Sequence, residues 1–313
     1  MQSTAKLISE ELSIPIENIF DALWNGKNEH RKFRIKKKTG GHREIRQPTP
    51  ELRMIQDWLS LRLFSNFPQS AIASAFRTGA SILNNAQKHS SNLYSIRVDL
   101  KDFFPSITLE DLKGKIYSNR PTLPRWATHK DTFSVLDAAC FDERGTLPIG
   151  YSTSPAISNI VMLDFDASLH NLVKNDIGRF GTAELTRYAD DFVFSTNVRG
   201  ACGRFLEALK DAIYRCPSPR LQINDKKTKF MSRPGGSTLV TGLRVNNVGQ
   251  IRVHPNYRDH VRLLLKLYAA GRLNPDENAS LVGHLAFVEN VDPQLFTKLS
   301  RRYYEFIRIV RNT

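Results

Sequence analysis

Three aspartates stand where they could hold cations against a phosphate chain. Tyr188-Ala189-Asp190-Asp191 lies between two apolar β-type runs, and an isolated acid, Asp99, ends another strand-like run. In Ser95-Ile96-Arg97-Val98-Asp99-Leu100, a period of two puts Ile96, Val98 and Leu100 on one face and Arg97 and Asp99 on the other. Asp99 is therefore expected to leave the core. The run from Leu185 to Phe194 reads as strand, tight polar turn, strand, with the acid pair at its tip. Nucleotidyl transfer would explain such acids, because charge moves onto an attacking 3′ oxygen and off a pyrophosphate. Two Mg²⁺ ions about 3.5–4 Å apart can stabilise both, and Mg²⁺ takes hard oxygen ligands. Asp99 and Asp190 are the candidates for bridging two metals, with Asp191, on the other side of its strand, a secondary ligand. A lone Asp-Asp pair is more often a solvated turn; the apolar flanks and the upstream acid turn the reading toward a metal site.

Helices and strands must position these acids. Residues 4–24 suggest two short helices interrupted at Pro15, with an apolar stripe of Ile19, Phe20, Leu23 and Trp24 that Gly26 ends. Glu51 to Phe64 reads as a helix and Ser81 to Lys88 as a shorter one. Ser154-Pro155 opens a longer helix in the favoured cap-then-proline order, with Ile157, Ile160, Val161, Phe165, Leu169 and Leu172 on one face. Its N-terminus would aim backbone N–H groups toward the acids. From Pro255 onward the period is helical: Val261, Leu264, Leu265 and Tyr268, then Leu281, Leu285 and Val288, then Leu295, Leu299, Tyr303, Phe306 and Val310. Such stripes are core first. The outer faces carry Arg258, Arg262, Lys266, Arg301, Arg302, Arg308 and Arg311, and Tyr303-Tyr304 offer rings for unpaired bases.

Composition agrees with a polyanionic partner. The net charge is +14 and the isoelectric point near 9.8. Between Arg31 and Arg46 there are eight Lys/Arg and one acid, Glu44, with Gly40-Gly41 joining two basic strands into a hairpin that either lies along phosphates or is a solvated face. No apolar run approaches the roughly 20 residues of a membrane span, and Met1-Gln2-Ser3-Thr4 opens no signal-peptide pattern; the expected location is cytoplasmic. Cys140, Cys202 and Cys216 form no CxxC pair, which argues against a disulfide framework or zinc knuckle. No internal repeat or low-complexity linker divides the 313 residues.

Val98-Asp99-Leu100-Lys101-Asp102-Phe103-Phe104-Pro105-Ser106-Ile107 and Arg187-Tyr188-Ala189-Asp190-Asp191 resemble the two catalytic motifs of reverse transcriptases. Asn85-Ala86-Gln87-Lys88-His89 and Val240-Thr241-Gly242 resemble the NAxxH and VTG signatures of bacterial retron reverse transcriptases, in the same order along the chain. The resemblance spans roughly Arg34 to Val253. It implies an α+β right-hand polymerase fold: an N-terminal helical segment (1–30), fingers (31–94 and 108–155), a palm of antiparallel sheet and helices (95–107 and 156–245) and a helical thumb (246–313). It also implies an RNA-directed DNA polymerase using two Mg²⁺, with Mn²⁺ a substitute. Such an enzyme takes deoxynucleoside triphosphates and copies a structured non-coding RNA of msr–msd type into RNA-linked DNA from an internal 2′-hydroxyl. An effector protein encoded nearby, within an antiphage system, is the further partner implied.

The same resemblance assigns roles to residues. The catalytic set is Asp99, Asp190, Asp191 and Lys227, and the metal set the three acids plus the Leu100 backbone. Leu221-Gln222-Ile223-Asn224-Asp225-Lys226-Lys227-Thr228 resembles the motif whose lysine approaches the leaving pyrophosphate; Lys227 is the better match, with Lys226 left open. Arg43, Arg46, Phe104, Gly150 and Tyr188 are implied on the nucleotide side. Phe104 matches an aromatic that would clash with a ribonucleotide 2′-OH, the other reading being a core ring with Phe103 as the gate. Leu147 to Pro155 resembles the LPQGxPxSP element, with Ile149 and Ser152 departing from it and Gly150 allowing close backbone approach. Asn85, His89, Thr241, Arg258, Arg262, Arg301 and Arg302 are the implied RNA contacts; Asn85 and His89 are read equally as holding a family-specific insertion. The alternatives are a group II intron-like or abortive-infection reverse transcriptase, or an RNA-binding scaffold that restrains an effector.

Overall fold

A computed structural model describes residues 3–29, 31–36 and 40–311. The chain opens with α1 (Thr4–Leu12), whose first turn is capped by the Ser3 hydroxyl accepting from the Lys6 N–H, and α2 (Ile16–Glu29). The break at Pro15 falls as expected. Gly26 does not end α2: a Cβ there would lie 2.8 Å from Leu52 Cδ2, so the glycine marks a close helix crossing. The apolar stripe is also narrower than its spacing suggests, because Ile19 and Leu23 are buried while Phe20 and Trp24 are 53% and 84% exposed.

An antiparallel hairpin follows, β1 (Arg31–Lys36) and β2 (His42–Gln47), in register from Arg31 opposite Gln47 to Lys36 opposite His42. Lys37, Lys38 and Thr39 of the basic run lie outside the described residues. Next come α3 (Pro50–Arg62), capped by Thr49, and α4 (Ile82–His89), capped by Ser81. Strand β3 (Tyr94–Asp99) leads to α5 (Leu109–Ser118), which starts with a Thr108–Asp111 capping box, and α6 (Lys130–Cys140). Then α7 (Ser154–Val161), α8 (Leu163–Asn175) and the short α9 (Ile177–Phe180) precede the hairpin β4 (Glu184–Tyr188) and β5 (Asp191–Thr196). After α10 (Ala201–Arg215) come β6 (Lys229–Ser232), β7 (Ser237–Val240), β8 (Leu243–Asn246) and β9 (Ile251–Arg252). Three helices close the described chain: α11 (Pro255–Ala269), α12 (Asn278–Val291) and α13 (Pro293–Arg311).

The predicted long helix from Ser154 is two, broken at Met162 (φ −80°, ψ −2°). Beyond it Phe165 and Leu169 are buried as expected, and Val173 rather than Leu172 continues the core face. A similar shift occurs in α13, where Tyr303 has non-helical φ −127° and ψ 33°; Ile307 and Val310 are buried beyond it and Phe306 is exposed. Across both kinks the core-facing side chains keep a four-residue step, Ile157-Val161-Phe165-Leu169-Val173 and Leu295-Leu299-Tyr303-Ile307, where the expected stripe shortened one step to three.

The acids sit on a four-stranded antiparallel sheet of order β4-β5-β3-β6. Ile96, Val98 and Leu100 are buried, as alternation requires. Asp99 is buried as well, at 4% exposure, because Asn224 and Lys227 cover it. Helices α1–α3 and α5–α10 pack with this sheet into one apolar core. A second core joins α11–α13 to the three-stranded sheet β7-β8-β9 and includes Ala86 of α4 and Val193 of β5. Among the described residues no helix is long and apolar enough to cross a membrane, and all three cysteines are free thiols.

Candidate active site

Pairing of Tyr188 with Asp191 leaves Ala189 and Asp190 as a two-residue hairpin loop. Such loops demand positive φ, and Ala189 adopts φ 56°, a conformation that costs a non-glycine residue on the order of 1–3 kcal/mol. Arg187 opposes that strain. Its Nη1 donates to the Ala189 carbonyl at 3.1 Å, while Nε and Nη2 donate to Asp166 Oδ1 and Oδ2 at 2.7 and 2.6 Å. Both side chains of this ion pair are fully buried. The Arg187 backbone is stitched to the 72–74 segment, donating to the Ile72 carbonyl at 2.7 Å and accepting from the Ser74 N–H at 2.8 Å. Leu100 N–H donates to the Asp190 carbonyl at 2.9 Å, which fixes the first acid's strand against the acid turn. Sequence reading missed Asp166; its signal was an acid beside Phe165 on a helix face otherwise filled with apolar side chains.

Electrostatics at the tip are unfavourable without a cation. Burial raises the Asp190 carboxyl above its ordinary range, and the neighbouring Asp99 charge adds to the rise. Asp191 is pushed up to about 6, chiefly by burial, with Arg97 opposing and Asp190 and Asp99 reinforcing. Its Oδ1 lies 3.4 Å from Arg97 Nε but is buried without a hydrogen bond. Asp99 accepts from Lys227 Nζ at 2.9 and 3.1 Å and from Asn224 Nδ2 at 3.1 Å. Lys227 rather than Lys226 therefore faces the acids. Among the described residues no three carboxylate, histidine or cysteine groups converge into a ready cage, since Asp99 leans to Lys227 and Asp191 to Arg97. Mutually repelling buried carboxylates, one with an orphaned oxygen, are nonetheless the hard donor chemistry that suits a divalent ion.

Strand alternation separates the two arginines of β2. Arg43 is exposed and close enough to Asp190 to stabilise its charge. Arg46 is buried and fully engaged: it pairs with Glu143, with Glu44 at 3.1 Å and with Asp142 at 3.5 Å, and its guanidinium holds the Glu143 carboxyl well below the usual range. The expected nucleotide contact by Arg46 is thereby corrected to a structural anchor. Gly150 serves the same anchor, because at φ 114° its missing Cβ would lie 2.4 Å from the Arg46 carbonyl oxygen. Ser152, where the resembled element has proline, donates from Oγ toward Gln56 and Asp57 of α3.

Phe103 and Phe104 lie in a turn, not a strand, yet only one is buried. Phe103 packs in the core, and Phe104 is half-buried, 6.3 Å ring to ring from Phe76. Phe76, strained at φ 58°, is a second aromatic beside it that sequence reading missed. Tyr188 is half-buried next to the turn.

The residues expected to touch RNA divide sharply. His89 is buried, bonding Ser195 Oγ through Nδ1 at 2.7 Å and Thr186 Oγ1 through Nε2 at 2.8 Å, and burial lowers its pKa to about 3. It ties α4 to the sheet and reaches no ligand. Thr241 and Gly242, both at positive φ, form the β7–β8 turn, and Thr241 Oγ1 donates to the Ile82 carbonyl at 3.2 Å. Burial corrects the RNA assignment of His89; Thr241 is half-exposed, and its hydroxyl serves as a strut. Asn85 is buried in α4 with its amide unpaired. Arg262 and Arg302 line one open groove with Lys266, Lys298 and Asp259; Asp259 pairs with Arg258 at 2.9 Å and with Arg262 at 3.4 Å. Arg301 is exposed outside that groove, and Tyr304 is exposed while Tyr303 packs against the second core.

Residues 35–264 match the family described as reverse transcriptase (RNA-dependent DNA polymerase). The chain is 37% identical to the retron Ec73 reverse transcriptase of Escherichia coli over 285 residues, covering 90% of this chain and 89% of that protein. It is 29% identical to the retron Ec83 reverse transcriptase of Escherichia coli, covering 91% of each. In fold it is similar to a telomerase from Candida tropicalis solved with a fragment of telomeric RNA, at a TM-score of 0.50 and 13% identity, over 90% of this chain and 57% of that one.

Proposed function

The chain belongs to the retron reverse transcriptases and is an RNA-directed DNA polymerase of right-hand fold, and we propose that it copies part of a structured non-coding RNA into RNA-linked DNA from an internal 2′-hydroxyl. The observation that carries the chemistry is the juxtaposition of Asp99 and Asp190 through the Leu100 N–H to Asp190 carbonyl bond. Asp99 and Asp190, with Asp191 behind them, would hold two Mg²⁺ ions, which supply Lewis-acid stabilisation of the attacking and leaving oxygens.

The chain's own groups do the rest. Lys227, with an exposed stem and its ammonium at Asp99, is placed to neutralise and protonate the departing pyrophosphate. Arg43 faces the triphosphate side. Phe104, braced by Phe76, stands beneath the sugar and excludes a 2′-OH, so deoxynucleoside triphosphates are the substrates. The basic groove of Arg262, Lys266, Lys298 and Arg302 takes phosphate backbone. An effector encoded nearby and restrained by the polymerase with its product completes this reading, on family resemblance alone.

The test is primer extension in Mg²⁺ on a defined RNA template. Asp99→Asn and Asp190→Asn should each abolish extension while RNA binding stays near that of the unaltered chain. Full extension by either variant would remove the acids from the mechanism.

A further inference from the structure

Between the 73–81 loop and α4 lies a cavity of about 180 Å³, walled by Ser74, Arg77, Gly79, Ser81 and Lys88, with Asn85 among its lining. Asn85 is 1% exposed, and neither its Nδ2 nor its Oδ1 has a partner. Among the described residues it is the one buried side-chain amide with both ends unpaired. Its helix is otherwise satisfied: one turn on, His89 uses both ring nitrogens. A buried amide without partners is paid for somewhere, and a ligand with adjacent donor and acceptor atoms would answer it.

We propose that this cavity receives one unstacked nucleobase of the RNA strand, with its edge against the Asn85 amide and the flanking phosphate against Lys88 and Arg77. Three observations lead there. A planar amide presents a donor–acceptor pair that matches the edge of a base, and single-stranded RNA is read by such edges once bases are splayed from the stack. The rim is cationic: Lys88 is exposed, and Arg77, which spends Nη1 on the Ser70 and Ala73 carbonyls, keeps further donors. The same loop carries Phe76 against Phe104, and neither ring lines this cavity, so the cavity is separate from the ring proposed to meet the incoming sugar and its base is assigned to the bound strand. That the strand is RNA rests on the proposed function.

The experiment measures binding of the whole chain to single-stranded nonamers of rA, rU and rC and to an abasic ribose–phosphate nonamer of equal charge. The unaltered chain should bind at least one base-bearing nonamer about tenfold or more tightly than the abasic one, the scale of a bidentate base contact. Asn85→Ala should bring that ratio toward one, and Asn85→Asp, which keeps the shape and loses the donors, should change which base is preferred. Lys88→Ala should weaken base-bearing and abasic strands alike. A wild-type ratio of one overturns the proposal without any variant. So does an unchanged ratio in Asn85→Ala, or an Asn85→Leu variant that melts higher with its ratio intact, the signature of a cavity that holds only water. Primer extension by the unaltered chain, run alongside, tests the polymerase reading separately, and its failure would leave the binding ratios to decide the cavity.

Discussion

Breaking the Arg187–Asp166 pair separates what holds the fold from what holds the catalytic turn. Asp166→Asn leaves a guanidinium buried opposite a neutral group at two contacts of 2.6 and 2.7 Å. Removing one partner of a buried pair costs about 3–5 kcal/mol, and about 2–4 °C per kcal/mol applies to chains of this scale, so melting should fall by roughly 10 °C. That loss alone would not distinguish a structural pair from a positioning one. Arg187→Met with Asp166→Leu removes both charges and fills the space, a replacement that is often neutral or stabilising. It still deletes the donor to the Ala189 carbonyl. A hydrogen bond from a charged group contributes about 1.5–3 kcal/mol, which matches the strain of about 1–3 kcal/mol stored at Ala189.

With the donor gone, the acid turn should relax, and single-turnover extension should fall by about 10- to 100-fold, at 1.36 kcal/mol per decade. Thermal melts and single-turnover primer extension on the same preparations decide the matter. A double variant that recovers both melting temperature and extension would show that Arg187 contributes nothing to the turn.

Phe104→Ala should admit ribonucleotides in primer extension, whereas Phe103→Ala should cost about 3–5 kcal/mol of stability and leave sugar selection unchanged. His89 is neutral in the fold with its pKa lowered to about 3 and takes up a proton near 6.5 when unfolded, so the unfolded chain binds more protons and stability falls as pH drops below about 6.5. Between pH 7 and pH 5 that amounts to roughly 2 kcal/mol, and His89→Gln should lose that slope in denaturant titrations at the two pH values. Removing charge at Lys298 and Arg302 together, both lining the groove, should lower the salt dependence of RNA binding by about two phosphate contacts, while Arg308→Gln, already paired with Glu305, should scarcely change it.

The catalytic sheet was legible because it obeys two local rules. Alternation placed Ile96, Val98 and Leu100 inward, and an acid pair between apolar runs could only be a hairpin tip. Burial of Asp99 was not legible, because its cover comes from Asn224 and Lys227, 125 and 128 residues away. The arginines of β2 show the same limit. Alternation puts Arg43 and Arg46 on opposite faces, but which face is covered follows from the pairing of β2 with the 142–150 segment, which buries Arg46 against Glu143. Helix interruptions at Met162 and Tyr303 escaped because neither residue breaks helices intrinsically; the choice of Val173 over Leu172 and of Ile307 over Phe306 escaped because steps of three and of four fit a helical stripe equally well.

The two segments that resemble retron signatures, Asn85 to His89 and Val240 to Gly242, converge on one joint. His89 bolts α4 to Thr186 and Ser195 on the catalytic hairpin, Thr241 bolts the second sheet to the start of α4 through the Ile82 carbonyl, and Ala86 enters the second core. Arg233 adds a third tie, donating to the carbonyls of Ser90, Asn246 and Asn247. Helix α4 is thus wedged between the sheet that carries the acids and the unit that carries the basic groove, and its bonds fix the angle between them. Phosphate contacts carry little sequence information, so a chain that selects its RNA by shape needs that angle held more than it needs further charge. The buried hydroxyls of Thr186 and Ser195 and a neutral histidine supply that rigidity without adding affinity for every RNA.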